Sequence, residues 1–117
     1  MEKQLQEARE SVNPGWWAIL DQFVPQILAV APDAEIEVKE KFGRLRVWAG
    51  SETVDQTAFY EIMDAAETAS AKTCECCGEP GQLRTKRRWM QTLCDRCDQL
   101  DAPERYRISQ ELAAKLT

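Results

Sequence analysis

The sequence predicts an α+β fold: a helix–β-hairpin–helix core, then a cysteine-rich module, then a C-terminal helix. Three observations carry the prediction. Apolar residues recur at helical spacing near 14–30 and 53–71. Between those segments, residues 34–49 alternate apolar and charged, the pattern of a half-buried hairpin. Four of the five cysteines form two C-x-x-C pairs, Cys74 with Cys77 and Cys94 with Cys97. A chain of 117 residues suffices for one domain, or for one small domain with a metal-stapled appendage. The division expected is an α+β core over 1–72 and the cysteine module plus terminal helix over 73–117.

Residues 1–12 carry a thin apolar stripe of Leu5, Ala8 and Val12 and predict a short helix able to fray or to dock. Asn13-Pro14 reads as an N-cap followed by proline at the first helical position. Trp16, Ile19, Leu20, Phe23, Ile27 and Leu28 then follow at helical spacing, and Pro25 is expected to kink this helix or to end its first part. Trp16 and Trp17 are adjacent, so only one of them can lie wholly on a narrow core face.

In the hairpin, Ala34, Ile36 and Val38 face the same way as Leu45, Val47 and Ala49, with a turn near Phe42-Gly43. The opposite face carries Glu35, Glu37 and Lys39 on one strand and Arg44, Arg46 and Trp48 on the other. A register that sets Glu37 against Arg46 makes a stabilising cross-strand pair. Lys39, Lys41, Arg44 and Arg46 cluster round the turn with Phe42 and Trp48, which makes this face either simply solvated or a binding surface. Thr53-Val54-Asp55-Gln56 resembles a capping box, and Ala58, Phe59, Ile62, Met63, Ala66 and Ala69 continue as a helix to about residue 71.

Charge and residue types exclude several functions. Residues 1–73 carry a net charge of −6 and residues 74–117 a net of +1, making up the chain's −5. A globally acidic chain repels nucleic acid at long range, although a local basic patch can override this. With 0 histidines, Ser-His-Asp and Cys-His catalysis and His-ligated catalytic zinc are unavailable. No apolar run is long enough to span a membrane and no signal-peptide pattern opens the chain, so a cytoplasmic setting is expected, where paired cysteines more often bind metal than form disulfides.

Two C-x-x-C turns separated by a short polar insert can set four thiolates at the corners of a tetrahedron, the arrangement of a structural Zn²⁺. The expected ligands are Cys74, Cys77, Cys94 and Cys97. A closed four-thiolate shell leaves no position for water or substrate, so the metal is expected to be structural. Cys76 offers a third thiol in the first turn. Gly78 favours Cys77 as the ligand, because a glycine there permits the positive φ a knuckle needs, and Cys76 is left at the knuckle tip as a spare thiol, redox-sensitive beside the metal or incidental. Iron–sulfur is the alternative metal group. Residues 81–85 and 89–93 can pair as a hairpin, and Cys94 and Cys97 then open a short helix. Knuckle, hairpin and helix-borne cysteine pair is the treble-clef order. Pro103 opens a last helix with Ile108, Leu112 and Leu116 on one stripe.

Arg84, Lys86, Arg87, Arg88 and Trp89 form the one concentrated basic and aromatic patch. The cations can meet phosphate while Trp89 stacks on a base, or they can dock on an acidic protein, or they can form a solvated tip with Trp89 packed on the knuckle. No nucleophile–base pair, phosphate loop or open metal site is visible, so no enzyme is expected.

Several motifs occur in a fixed order: Gly15-Trp16, Val38-Lys39-Glu40-Lys41-Phe42-Gly43-x-Leu45-Arg46, Ala65-Ala66-Glu67-x-x-Ser70, Thr73-Cys74-Glu75-x-Cys77-Gly78-x-Pro80-Gly81-x-Leu83-Arg84 and Trp89-x-x-Thr92-Leu93-Cys94-Asp95. Over residues 15–97 the chain resembles a widespread family of small, largely uncharacterised proteins of phages, prophages and bacteria. The chain departs from that pattern at Arg44, where a glycine is usual, and by its additional Cys76. The resemblance implies a viral or mobile-element setting and supplies no chemistry. By analogy with small phage proteins, the expected function is a non-enzymatic protein-binding module that inhibits or modulates a host complex such as a defence system, its acidic N-terminal part suited to a basic groove. The alternative is a nucleic-acid-binding regulator using Arg84–Trp89.

Overall fold

The computed structural model describes residues 1–117. Helix α1 (Glu2–Glu10) leads through a 3₁₀ turn at Pro14–Trp16 into α2 (Trp17–Val30). Strands β1 (Glu35–Lys41) and β2 (Arg44–Gly50) follow, then a 3₁₀ turn at Gln56–Phe59 and α3 (Tyr60–Ser70). A second hairpin of β3 (Gln82–Arg84) and β4 (Gln91–Leu93) precedes the short α4 (Asp95–Gln99) and α5 (Ala102–Leu116). The architecture is mixed helix and antiparallel sheet, as the alternating and helical patterns predict. No helix is long and apolar enough to cross a membrane.

Trp16, Leu20, Val24, Val38, Leu45 and Ala66 form one buried cluster, where α2 and α3 meet the apolar face of β1 and β2. Ile27, Ala31, Ala34, Ala49 and Phe59 form a second beside it. Trp16 is fully buried and donates its indole N–H to the Thr73 carbonyl at 3.0 Å. Trp17 is half-buried, and its indole N–H donates to the Arg9 carbonyl at 3.0 Å. The Arg9 guanidinium lies 5.0 Å from a Trp17 ring centroid and pairs with Asp21 at 2.8 Å, which fastens α1 to α2.

Helix α2 does not end at Pro25: it continues unbroken to Val30. Proline removes one backbone donor, while Leu20, Val24 and Ile27 are buried on both sides of it and hold the helix to the core. The register also differs from expectation. Phe42 (φ 54°) and Gly43 (φ 80°) form a two-residue turn, both in the left-handed region, as the primed hairpin turns require. That turn pairs Lys41 with Arg44, so Arg46 falls opposite Lys39 and Trp48 opposite Glu37. The expected Glu37–Arg46 pair is therefore absent, and like charges face each other twice.

The capping box also lies elsewhere. Asp55, not Thr53, is the N-cap, accepting from the Thr57 N–H at 2.9 Å. Thr53 instead donates to Asp33 at 2.8 Å, and Ser51 joins the same carboxylate. The first turn is 3₁₀, which leaves Ala58 exposed while Phe59 is fully buried.

Helix α3 closes the outer edge of β2, whose strand N–H groups would otherwise lack partners. The Leu45 N–H donates to Ser70 Oγ at 2.9 Å and the Val47 N–H to Glu67 Oε2 at 3.2 Å.

Candidate metal centre and the two hairpin ends

The cysteine module is built against the core by backbone contacts. The Gly15 N–H donates to the Glu75 carbonyl at 2.9 Å. A Cβ at Gly15 would stand 2.2 Å from the Cys74 carbonyl oxygen, so glycine is required there by close approach. From the other side, Thr92 Oγ donates to the Gly43 carbonyl at 2.6 Å and seats the β1–β2 turn on β4. A Cβ at Gly43 would meet Leu83 at 2.7 Å, so this glycine serves both the turn and the contact.

The first C-x-x-C is a tight turn. Cys74 N–H donates to the Glu79 carbonyl at 2.7 Å, Gly78 N–H donates back to the Cys74 carbonyl at 2.9 Å, and Gly78 takes φ 81°. The second pair opens a helix: Cys94 is the N-cap of α4 and its sulfur accepts from the Cys97 N–H at 3.4 Å. These turns bring the sulfurs of Cys74, Cys77, Cys94 and Cys97 within 4.8 Å of one another. The Cys77 and Cys94 sulfurs are 3.7 Å apart. A tetrahedral zinc with bonds of about 2.3 Å would set its sulfurs about 3.8 Å apart. The donor set and its spacing therefore fit one metal ion.

The electrostatics of the cluster agree. Burial pushes the Cys77 thiol up to about 11. It also pushes Cys97 up, with the neighbouring Cys94 and Cys74 sulfurs adding to the shift. The contact with Cys76 draws Cys74 down to about 4. Such a cluster cannot hold four thiolates together without a cation to offset them.

Cys76 stands outside the four-sulfur set and is 4 % exposed. Of the two readings of this spare thiol, burial favours the incidental one over the redox-sensitive one. Its carbonyl accepts from Ser109 Oγ at 3.2 Å, which places it under α5.

The basic hairpin divides into two groups. Arg84 donates to the Leu93 carbonyl at 2.9 Å and to Asp95 at 2.8 Å, and Arg87 donates to Asp98 at 2.8 Å. Both arginines tie the hairpin to the first turn of α4, where acidic side chains also suit the helix dipole. Lys86, Arg88 and Trp89 point outward, and Trp89 is 74 % exposed, so it does not pack on the knuckle. On the first hairpin Lys39, Lys41, Arg44 and Arg46 are all exposed, as Lys39/Arg46 and Lys41/Arg44 cross-strand pairs.

Sequence reasoning passed over Glu75. It lies between two ligand cysteines yet is 2 % exposed, and its side chain accepts a hydrogen bond from Gln91. Burial pushes its carboxyl up to about 7, against the opposing pull of Gln91. The available signal was a charged residue inside a knuckle, with an amide three residues before the second cysteine pair. No protein-family model, no curated protein and no solved structure matches the chain.

Proposed function

We propose that this chain is a zinc-stabilised, non-enzymatic protein-binding module in which the metal staples the second hairpin beside the first. Zinc fits an all-thiolate set at this spacing, and the order of knuckle, hairpin and helix N-terminus supports a treble-clef-like build. Four thiolates close the coordination shell, and with 0 histidines the chain offers no imidazole base, which supports the non-enzymatic reading. The resemblance to small phage and bacterial proteins supports a role in modulating a host complex, such as a defence system, in the cytoplasm.

The observation that carries the binding reading is the cation ladder on the first hairpin. Lys39 faces Arg46 and Lys41 faces Arg44 across the strands, an arrangement that destabilises an isolated hairpin. Its one close counter-charge is Glu37, 3.9 Å from Lys39 and exposed. An acidic partner surface would neutralise what the fold leaves unpaired. Nucleic acid is less well supported at the second hairpin, since Arg84 and Arg87 are engaged by Asp95 and Asp98.

The test compares affinity capture from a bacterial lysate by the wild-type chain and by Lys39→Glu/Arg46→Glu, followed by size-exclusion chromatography of the product. A stoichiometric protein complex formed only by the wild type is expected. Equal capture by both, or a nucleic-acid gel shift that collapses with salt in place of a protein complex, would overturn the reading.

A further inference from the structure

A cleft of about 710 Å³ lies between the ends of the two hairpins, bordered by the loop after α1 and the start of α5. Glu75 lines it. The backbone of Glu75 is anchored on both sides, donating to the Thr92 carbonyl at 3.0 Å and accepting from the Gly15 N–H at 2.9 Å. Oε1 of its carboxylate accepts from Gln91, whereas Oε2 is buried and has no donor. A buried polar oxygen without a partner is costly, and native folds rarely keep one.

The chain's own cations do not satisfy it. Lys41 borders the cleft with its ammonium 5.8 Å from the Phe42 ring centroid. Arg105 also borders it and donates to the Leu100 carbonyl. Two further carboxylates, Glu10 and Glu40, line the same space, so acidic groups outnumber basic ones there. The walls include Phe42 and Trp89, which are 62 % and 74 % exposed. Exposed aromatic faces beside a desolvated carboxylate suit a flat, weakly hydrated cation better than an ammonium.

We propose that this cleft binds an arginine side chain presented by a partner protein: the Glu75 carboxylate turns about its soft terminal torsion to bring Oε2 out of its closed position and accepts from the guanidinium, whose face stacks on Trp89. The partner rests on the protein-binding reading above; the recognition chemistry rests on the cleft. Guanidinium is the group that can donate in plane to a carboxylate while offering its face to an aromatic ring.

The test titrates the metal-loaded full chain with the peptide acetyl-Gly-Arg-Gly-amide and follows the Trp89 indole N–H by NMR, assigned with Trp89→Phe. Saturation with a Kd of about 1 mM or tighter is expected. The citrulline peptide, equal in shape and uncharged, should bind at least about tenfold more weakly, as should Glu75→Gln toward the arginine peptide. Trp89→Ala, a change at an exposed site that leaves the fold intact, should weaken binding at least about threefold. If Glu75→Gln fails to load metal, the citrulline comparison and Trp89→Ala decide. Equal affinity for arginine and citrulline peptides, no saturable shift at about 10 mM peptide, or saturation by guanosine monophosphate in place of arginine would overturn the proposal. Probe binding without partner capture would count against the protein-binding reading alone, and partner capture without probe binding would overturn the cleft assignment alone.

Discussion

Replacing Gly15 by alanine tests how the cysteine module is seated on the core. The new Cβ would stand 2.2 Å from the Cys74 carbonyl oxygen and 2.3 Å from the Glu75 carbonyl carbon. Both obstacles are backbone, so the two segments must separate by roughly 1 Å to regain van der Waals distance. A shift of that size breaks the 2.9 Å bond from the Gly15 N–H to the Glu75 carbonyl and the 3.0 Å bond from the Trp16 indole to the Thr73 carbonyl. Two such bonds contribute about 1 kcal/mol each, and groups left unsatisfied in the interior add about 1–3 kcal/mol. Alanine returns about 0.4–1 kcal/mol through the unfolded chain. The net destabilisation is about 3 kcal/mol, which for a domain of this size lowers Tm by about 12 °C. Gly50→Ala is the control, because its nearest obstacle is the ring of the exposed Trp48 at 2.6 Å, a side chain free to move. Thermal unfolding of both variants, followed by circular dichroism with metal content measured in parallel, gives the answer. A Gly15→Ala protein melting within about 2 °C of wild type with its metal retained would mean that the module is not seated through this contact.

Further predictions concern the edge, the core and the metal. Ser70→Ala removes the acceptor of the buried Leu45 N–H and should cost about 1–3 kcal/mol in urea denaturation. Phe59→Ala empties a fully buried site in the second core cluster and should cost about 3–5 kcal/mol by the same measurement. Arg84→Met removes the bonds to the Leu93 carbonyl and Asp95 and should speed extraction of the metal by chelator, read with a chromogenic indicator. Metal loading should fall as pH falls. Free thiols sit near 8.5 and burial holds the metal-free Cys77 at about 11, so binding expels protons and depresses the ligand pKa values in the loaded state. Stability from the metal is then fully present above the unfolded thiol range and is lost as protons displace the ion on acidification, which a pH series of metal retention checks.

The features that repeat were legible in the sequence. Alternation over 34–49 located the hairpin and its buried face, and the two C-x-x-C pairs located four sulfurs that the fold brings together. Features set by single contacts were not. Register depends on which two residues occupy the turn, and the positive φ at Phe42, a bulky residue, moved Arg46 from Glu37 to Lys39. The N-cap fell to Asp55 because Asp33 drew Thr53 away. The basic run 84–88 read as one patch, yet the reach of Arg84 and Arg87 to α4 turned two of its cations inward. Glu75 is buried by tertiary packing between Gly15 and Thr92, and neither residue is near it in sequence.

Four cysteine sulfurs placed to hold one metal ion make that ion the expected staple of the second hairpin. Native mass spectrometry of the purified chain, before and after chelation, with amide hydrogen exchange over residues 73–100, tests this role most directly. One zinc per chain is predicted, with its removal exposing β3, β4 and α4 to fast exchange while α2 and the first hairpin stay protected. A chain that carries no metal, or one that loses its metal with the exchange of 73–100 unchanged, would contradict that role.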